Sequence, residues 1–306
     1  MNGIINVLKP AGMTSHDVVG VMRKTLGIKR IGHTGTLDPM AVGVLPICIG
    51  SATRMIEYLD GDYKKYRCEM QLGLETDTQD IWGKTINNLP VLASSDEIAS
   101  AVLAHKGHIL QTPPDYSAVR VQGRHLYEYA RSGETVVVKP RWIDILDISV
   151  VSIDLLKNRV MFDVTSSRGT YIRTICTEIG KALGTCAAMR FLVRTASGRF
   201  TLEDTLTFEE IQALNQDGLL EGKLLPLDYP LQKYSSLFVK DIHRAQAFTR
   251  GGPLDFWEVT SSDQEAGLNC GELYKVYYGD VFIAMAKGHI DSEKIISEKV
   301  FCQEIG

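Results

Sequence analysis

The chain has 306 residues, 44% of them hydrophobic and 23% charged, with a formal net charge of −4. This is an ordinary composition for a globular chain with a real core, large enough for one big domain or two unequal ones. It excludes a global basic signature for nucleic acid but leaves local basic clusters free to contact RNA. Lys+Arg against Asp+Glu is 25 against 26 in residues 1–232 and 8 against 11 in residues 233–306, so the acidic excess is mainly C-terminal. The six cysteines, at 48, 68, 176, 186, 270 and 302, form no Cys-x-x-Cys, and most sit in apolar runs. They read as buried thiols of a reducing compartment rather than disulfides or zinc ligands. The start carries no basic-then-apolar leader and no apolar run approaches membrane-spanning length, so a cytoplasmic protein is expected.

Taken in order, Gly3 to Leu8 is a short strand ending at Lys9-Pro10. Thr14 and Ser15 open a helix with Asp17 in its first turn, and Gly27 closes it. Arg23, Lys24, Lys29, Arg30 and His33 follow, with no acid from Val18 to Leu37. Such a cluster either holds a polyanion or forms a solvated helix face. The stretch from Arg30 to Pro46, Arg-Ile-Gly-His-Thr-Gly-Thr-Leu-Asp-Pro-Met-Ala-Val-Gly-Val-Leu-Pro, has neither helical nor strand period and is read as a loop. Leu37, Met40, Val42, Val44 and Leu45 should press it onto the core. Asp38, at its centre and followed by Pro39, is either a nucleophile or general base on an ordered loop, or a turn-capping carboxylate. The loop lacks the Gly-Lys-Ser/Thr of a phosphate-binding loop. One His and one Asp are too few for a metal site.

Ser51 starts a short helix. From Tyr63 to Leu74, Tyr66, Cys68, Met70, Leu72 and Leu74 alternate with Lys65, Arg67, Glu69 and Gln71, a half-buried strand. Tyr66 is on its apolar face, where it either packs or stacks on a flipped base. Residues 76–83 form a turn and 87–96 a loop, and Asp96 to His105 reads as a helix. Thr112 to Arg124 is a loop and hairpin bearing Arg120, Arg124, His125, Tyr116 and Tyr127, basic and aromatic side chains interleaved as a nucleic acid requires. A short helix from Leu126 stops at Gly133. Strands Trp142 to Ile153 and Arg159 to Ser166 pair. Ser167 to Thr174 opens a helix with Arg173 in its first turn, where the dipole disfavours a cation; a carboxylate partner or a surface position would each explain it. Residues 179–202 hold Lys181, Arg190, Arg194 and Arg199 and no acid, a second basic segment. Thr207 to Glu210 is a capping box, and Gly222 to Gln232 a linker. Beyond Lys233 come a short helix, Asp241 to Thr249, and β-prone runs at 273–278, 281–286 and 295–301, spaced as in a small barrel.

Several of these stretches together resemble the TruB family of tRNA pseudouridine synthases: Gly32-His33-Thr34-Gly35 through Asp38-Pro39 and Gly43, the Tyr66 strand, Pro114 to Arg131, Gly169-Thr170-Tyr171-Ile172-Arg173, Leu192-Val193-Arg194-Thr195 and Leu202-Glu203-Asp204. The tail is similar to a PUA domain, an RNA-binding barrel. The resemblance implies an α+β pseudouridine synthase fold, a mixed and largely antiparallel central sheet with flanking helices, over 1–232, and a PUA-like β-barrel over 233–306. It implies conversion of uridine 55 in the tRNA T-loop to pseudouridine, with Asp38 as the catalytic Asp, Tyr66 stacking on the flipped base and taking part in proton transfer, and Arg173 pairing with the carboxylate. His33, Tyr171 and Leu192 would line the nucleoside pocket with Tyr66. Lys9 matches a Lys-Pro motif with no role attached. No cofactor or metal is called for. The expected partner is the T-arm of tRNA, bound by a monomer without guide RNA, protein partner or membrane. A non-catalytic RNA-binding or tRNA-folding protein is the alternative.

Overall fold

Alternation in β4 (Lys64–Leu72) puts Tyr66, Cys68, Met70 and Leu72 on a buried face and leaves Lys65 and Arg67 exposed, the pattern of a sheet with one covered side. The computed structural model describes residues 1–59, 63–262, 269, 271–289 and 292–302; Cys270 lies outside them. The chain divides into two compact units, one of Ile5–Ile47 and Asp60–Leu220, the other of Met1–Ile4, Cys48–Leu59 and Glu221–Gly306.

In the larger unit the first elements are β1 (Gly3–Lys9), α1 (Ser15–Leu26), β2 (Ile31–His33) and β3 (Val42–Ile49), followed by β4, β5 (Leu74–Thr76) and β6 (Thr85–Asn88). Then come α2 (Ser95–Leu103), β7 (Gly107–Gln111), the hairpin β8 (Arg120–Val121) and β9 (Arg124–His125), and α3 (Leu126–Ser132). The unit continues through β10 (Arg141–Asp154), β11 (Arg159–Ser166), α4 (Ile172–Ala182), β12 (Ala187–Ser197), β13 (Phe200–Thr201) and α5 (Phe208–Gln216). The main sheet runs β1-β3-β12-β4-β11-β10-β7, with β2 on β3 and β13 on β12. The run from β12 to β7 is antiparallel and β12–β3 is parallel, the mixed sheet that the resemblance implied. Apolar residues of β4, β10, β11 and β12 form one core with Ile172, Ile175, Cys176 and Ile179 of α4 and Ile98 and Val102 of α2.

The local signals of α1 are realised as read. Thr14 and Asp17 form a reciprocal capping box and Gly27 closes the helix in the left-handed region at φ 67°. The stretch read as a loop from Arg30 to Pro46 is shorter than expected, because β2 and β3 take up both its ends. The run Val44-Leu45-Pro46-Ile47-Cys48-Ile49 is buried throughout, and a strand buried on both faces shows no alternation to betray it. Within the segment 179–202, read as basic and not as a strand, lies the central strand β12. Register shifts at Met189/Phe191 and Arg194/Ala196 break its period.

The smaller unit holds a 3₁₀ helix (Gly50–Leu59), β14 (Ser236–Val239), α6 (Ile242–Thr249), β15 (Leu254–Asp255), β16 (Val259–Ser261), β17 (Leu273–Tyr278), β18 (Val281–His289) and β19 (Lys294–Val300). Its six strands, in the order β15-β19-β18-β17-β14-β16, curl into a barrel-like, PUA-like sheet around Leu237, Phe248, Leu254, Val276, Ile283 and Ile295. The stretch read as a linker is packed here. Leu225 exchanges backbone hydrogen bonds with Ile4 at 2.8 and 2.9 Å, and Leu231 is buried with Met55, Tyr58 and Tyr277.

Candidate active site

The Asp38 loop hangs between β2 and β3 and is held by three polar side chains. Ser15, at the start of α1, accepts the Leu37 N–H at 2.9 Å. Lys9, the last residue of β1, is fully buried; its Nζ donates to the carbonyls of Pro39 at 2.9 Å, Ala41 at 2.7 Å and Pro10 at 2.9 Å. Arg194 of β12, also fully buried, donates to Val44 at 2.7 Å, Gly35 at 3.1 Å and Thr36 at 3.4 Å. Backbone on both sides of Asp38 is thereby fixed, and its carboxylate is left for another partner.

That partner is Arg173. Its Nε lies 2.8 Å from Asp38 Oδ2 and its Nη2 donates to Oδ1 at 3.1 Å. The Arg173 side chain is 5% exposed and that of Asp38 36%, so the pair has a dry side and a side open to a ligand. The guanidinium also donates to the carbonyls of Thr78 at 2.9 Å and Tyr116 at 3.0 Å, and its Nη1 lies 3.9 Å from Asp80 Oδ2. A buried guanidinium ringed by two carboxylates and two carbonyls has little freedom to move. Its position in the first turn of α4, unfavourable to the helix dipole, is offset by these partners.

Tyr66 is buried on β4, and across the ladder it faces Arg194 on β12 and Val164 on β11. Burial pulls the Arg194 guanidinium below its usual range, while its interaction with Tyr66 works the other way. His33, at the end of β2, has its imidazole pKa lowered, first by burial and then by the Arg194 and His16 charges, and its buried Nδ1 makes no hydrogen bond. Leu192 packs in one core cluster with Tyr66, Leu37, Ala41 and Ile172. Tyr171 caps α4, and its own contacts run to Gln111 and Arg141. Among the described residues no cluster of three His, Cys, Asp or Glu could hold a metal ion, and no helix is long and apolar enough to cross a membrane.

The basic segments divide on inspection. In the second, Arg194 is buried and Arg190 pairs with Glu69 at 2.7 Å, so it forms no single surface patch. In the first, Arg23 donates to the Ile31 carbonyl at 3.0 Å, while Lys24 and Lys29 are exposed. The hairpin presents Arg124 over the Tyr129 ring at 4.2 Å, and His125 stacked on Tyr127 at 5.2 Å.

Comparison with known proteins meets this geometry. The family model described as TruB family pseudouridylate synthase (N terminal domain) matches residues 23–172, and the tRNA pseudouridylate synthase B C-terminal domain matches residues 173–232. The tRNA pseudouridine synthase B of Alkaliphilus oremlandii is 51% identical over 246 residues, 80% of this chain and 81% of the relative. The chain belongs to the TruB family of tRNA pseudouridine synthases. The Clostridioides difficile member is 40% identical over 306 residues, 98% of this chain and 100% of the relative. Two solved structures superpose with a TM-score of 0.75, an H/ACA RNP bound to a substrate RNA containing 2′-deoxyuridine (27% identity, 98% of this chain, 85% of that one) and a Cbf5-Nop10-Gar1 complex (29%, with the same coverage).

Within the TruB fold, Asp38 lies between β2 and β3, Arg173 on α4, Tyr66 on β4 and Leu192 on β12. Sequence reading left Asp80 in a turn, Arg194 in a basic run and Lys9 without a role. The signal of Lys9 and Arg194 was weak, because a buried cation bonded to carbonyls looks, in one dimension, like any surface cation.

Proposed function

We propose that this TruB-family chain isomerises uridine 55 of the tRNA T-loop to pseudouridine with Asp38 as its catalytic carboxylate. The observation that carries this reading is the Asp38–Arg173 pair, at 2.8 and 3.1 Å, on a loop fixed from both sides. Isomerisation breaks C1′–N1, turns the base and joins C1′ to C5, while the C5 hydrogen leaves as a proton and N1 gains one. Atoms and electrons balance without a cofactor. A carboxylate reaches C1′, or the C2′ proton of the alternative glycal route, only if the nucleotide is flipped from its stack. The open side of Asp38 would receive the ribose. Tyr66 would stack on the flipped base and take part in proton transfer, and His33, Tyr171 and Leu192 would complete the pocket. Arg173, held by the Thr78 and Tyr116 carbonyls, would counter the carboxylate charge.

The tRNA backbone would lie along the hairpin around Arg124 and Tyr127 and the exposed Lys24 and Lys29 at the end of α1 and beyond it, by charge and stacking. Residues 1–232 would carry the chemistry, and residues 233–306, PUA-like in form, would add RNA affinity. The protein would act as a cytoplasmic monomer, without guide RNA or protein partner.

Tritium release from [5-³H]uridine-labelled tRNA transcript tests this, wild type beside Asp38→Asn with nothing added. Release by wild type alone, with both proteins binding tRNA, is the expected result. Release by Asp38→Asn at the wild-type rate would remove Asp38 from the reaction. Binding without release by wild type would favour an RNA-folding protein instead.

A further inference from the structure

We infer that Gln111 is a positioning residue for this reaction, its side-chain amide fixing Tyr171 and thereby the first turn of α4 that aims Arg173 at Asp38. The inference rests on the function proposed above and adds a residue whose side-chain hydrogen bonds go to Tyr171. Gln111 ends β7 and is fully buried. Its Oε1 accepts the Tyr171 N–H at 2.8 Å and its Nε2 donates to the Tyr171 carbonyl at 3.1 Å. One primary amide thus satisfies both backbone groups of a single residue, as the edge of a neighbouring strand would.

The residue so held is the N-cap of α4, at φ −101° and ψ 108°, and its own side chain makes no cap hydrogen bond. Helices normally fix their first turn with a Ser, Thr, Asp or Asn at that position. Here the start is held from outside. Arg141, directly across the ladder from Gln111, lies with its guanidinium 5.1 Å from the Tyr171 ring centre and donates to the Gly169 carbonyl. The chain leaving Gln111 returns five residues later with the Tyr116 carbonyl, which accepts from Arg173 Nη2 at 3.0 Å. Backbone, ring and guanidinium at the start of α4 are therefore gripped from β7, β10 and the segment that follows β7. Since the Asp38–Arg173 pair closes at 2.8–3.1 Å, a displacement of about an ångström at this helix start opens it, and misplacement of that size costs on the order of 100-fold in rate.

The test compares wild type with Gln111→Met, which keeps length and removes both hydrogen bonds, and with Arg141→Met at a half-buried position. Single-turnover tritium release, tRNA affinity by filter binding, and amide hydrogen exchange across residues 171–174 are measured on each. Expected for Gln111→Met are a rate lower by about 10- to 100-fold, a Kd within about three-fold of wild type, and faster exchange at residues 171–174 than elsewhere in the sheet. A rate within two-fold of wild type, or equal losses in rate and affinity, would overturn the inference. If Gln111→Met does not fold, Arg141→Met decides; an unchanged rate and unchanged exchange there would overturn the grip on Tyr171. Should wild type itself release no tritium, the proposed function fails, and exchange at residues 171–174 still judges Gln111 alone, unchanged exchange overturning it.

Discussion

Lys9 and Arg194 show what single residues do at this site. Both are buried cations, and their hydrogen bonds to carbonyls of residues 10, 35, 36, 39, 41 and 44 hold the loop. Burial brings the Lys9 amine down to about 8 from 10.5, against the opposing pull of Asp38. The sign of the consequence follows. Between about pH 8 and 10.5 the unfolded chain binds a proton at Lys9 that the folded chain has released, so stability rises with pH in that window and the gain is lost as pH falls through about 8. Relative to Lys9→Met, which has no such proton, the wild type should gain stability across the window. Denaturant melts of both proteins at stepped pH would show this, and parallel curves would refute it. His33 acts in the same sense, in a more acidic range. Its lowered pKa makes the folded state resist protonation, so its contribution weakens stability as pH drops below the ordinary histidine range.

At the scale of elements, the site depends on how closely β3, β12 and α4 approach one another. A Cβ on Gly43 would lie 2.2 Å from the Arg194 carbonyl oxygen, and the residue sits at φ +110°. Only glycine allows β3 to pair with β12 there. Gly180 does the same for α4, since a Cβ would lie 2.5 Å from the Ala187 backbone nitrogen. Gly43→Ala should therefore cost more than about 2 kcal/mol of stability, measured by urea denaturation, and reduce turnover at temperatures where the fold survives. A loss under about 0.5 kcal/mol would mean that the strands part without penalty. Some of these elements were legible beforehand. The capping boxes of α1 and α5 and the alternation of β4 are local, involving residues three apart or side chains in strict period. β12 was not legible, because its two register shifts erase alternation and its arginines look like surface residues. β3 was hidden by burial on both faces.

For the molecule as a whole, net charge is a poor guide to partner. The formal charge is −4, yet exposed Lys24 and Lys29 offer local positive contacts, and Arg124, paired with Glu134 at 3.4 Å, lies over the Tyr129 ring. Binding to tRNA should weaken about ten-fold between roughly 50 and 200 mM salt for every two phosphates engaged. Titrating labelled tRNA across that range would show it, and a flat response would place the affinity in base contacts instead. The amino-acid order by itself determined the caps, the alternating strands and, through its motifs, the family and the residues to watch, because these depend on neighbours in the chain or on patterns kept intact along it. Only the family motifs had implied that Asp38 meets Arg173, 135 positions away, and tertiary structure alone decided the geometry of that pair and its further partners. It alone decided that Lys9 and Arg194 lie beneath the loop, and that Gln111 holds the residue before the helix. Those pairings arise when distant segments fold onto one sheet, and no local period or propensity records which buried polar group will find which partner.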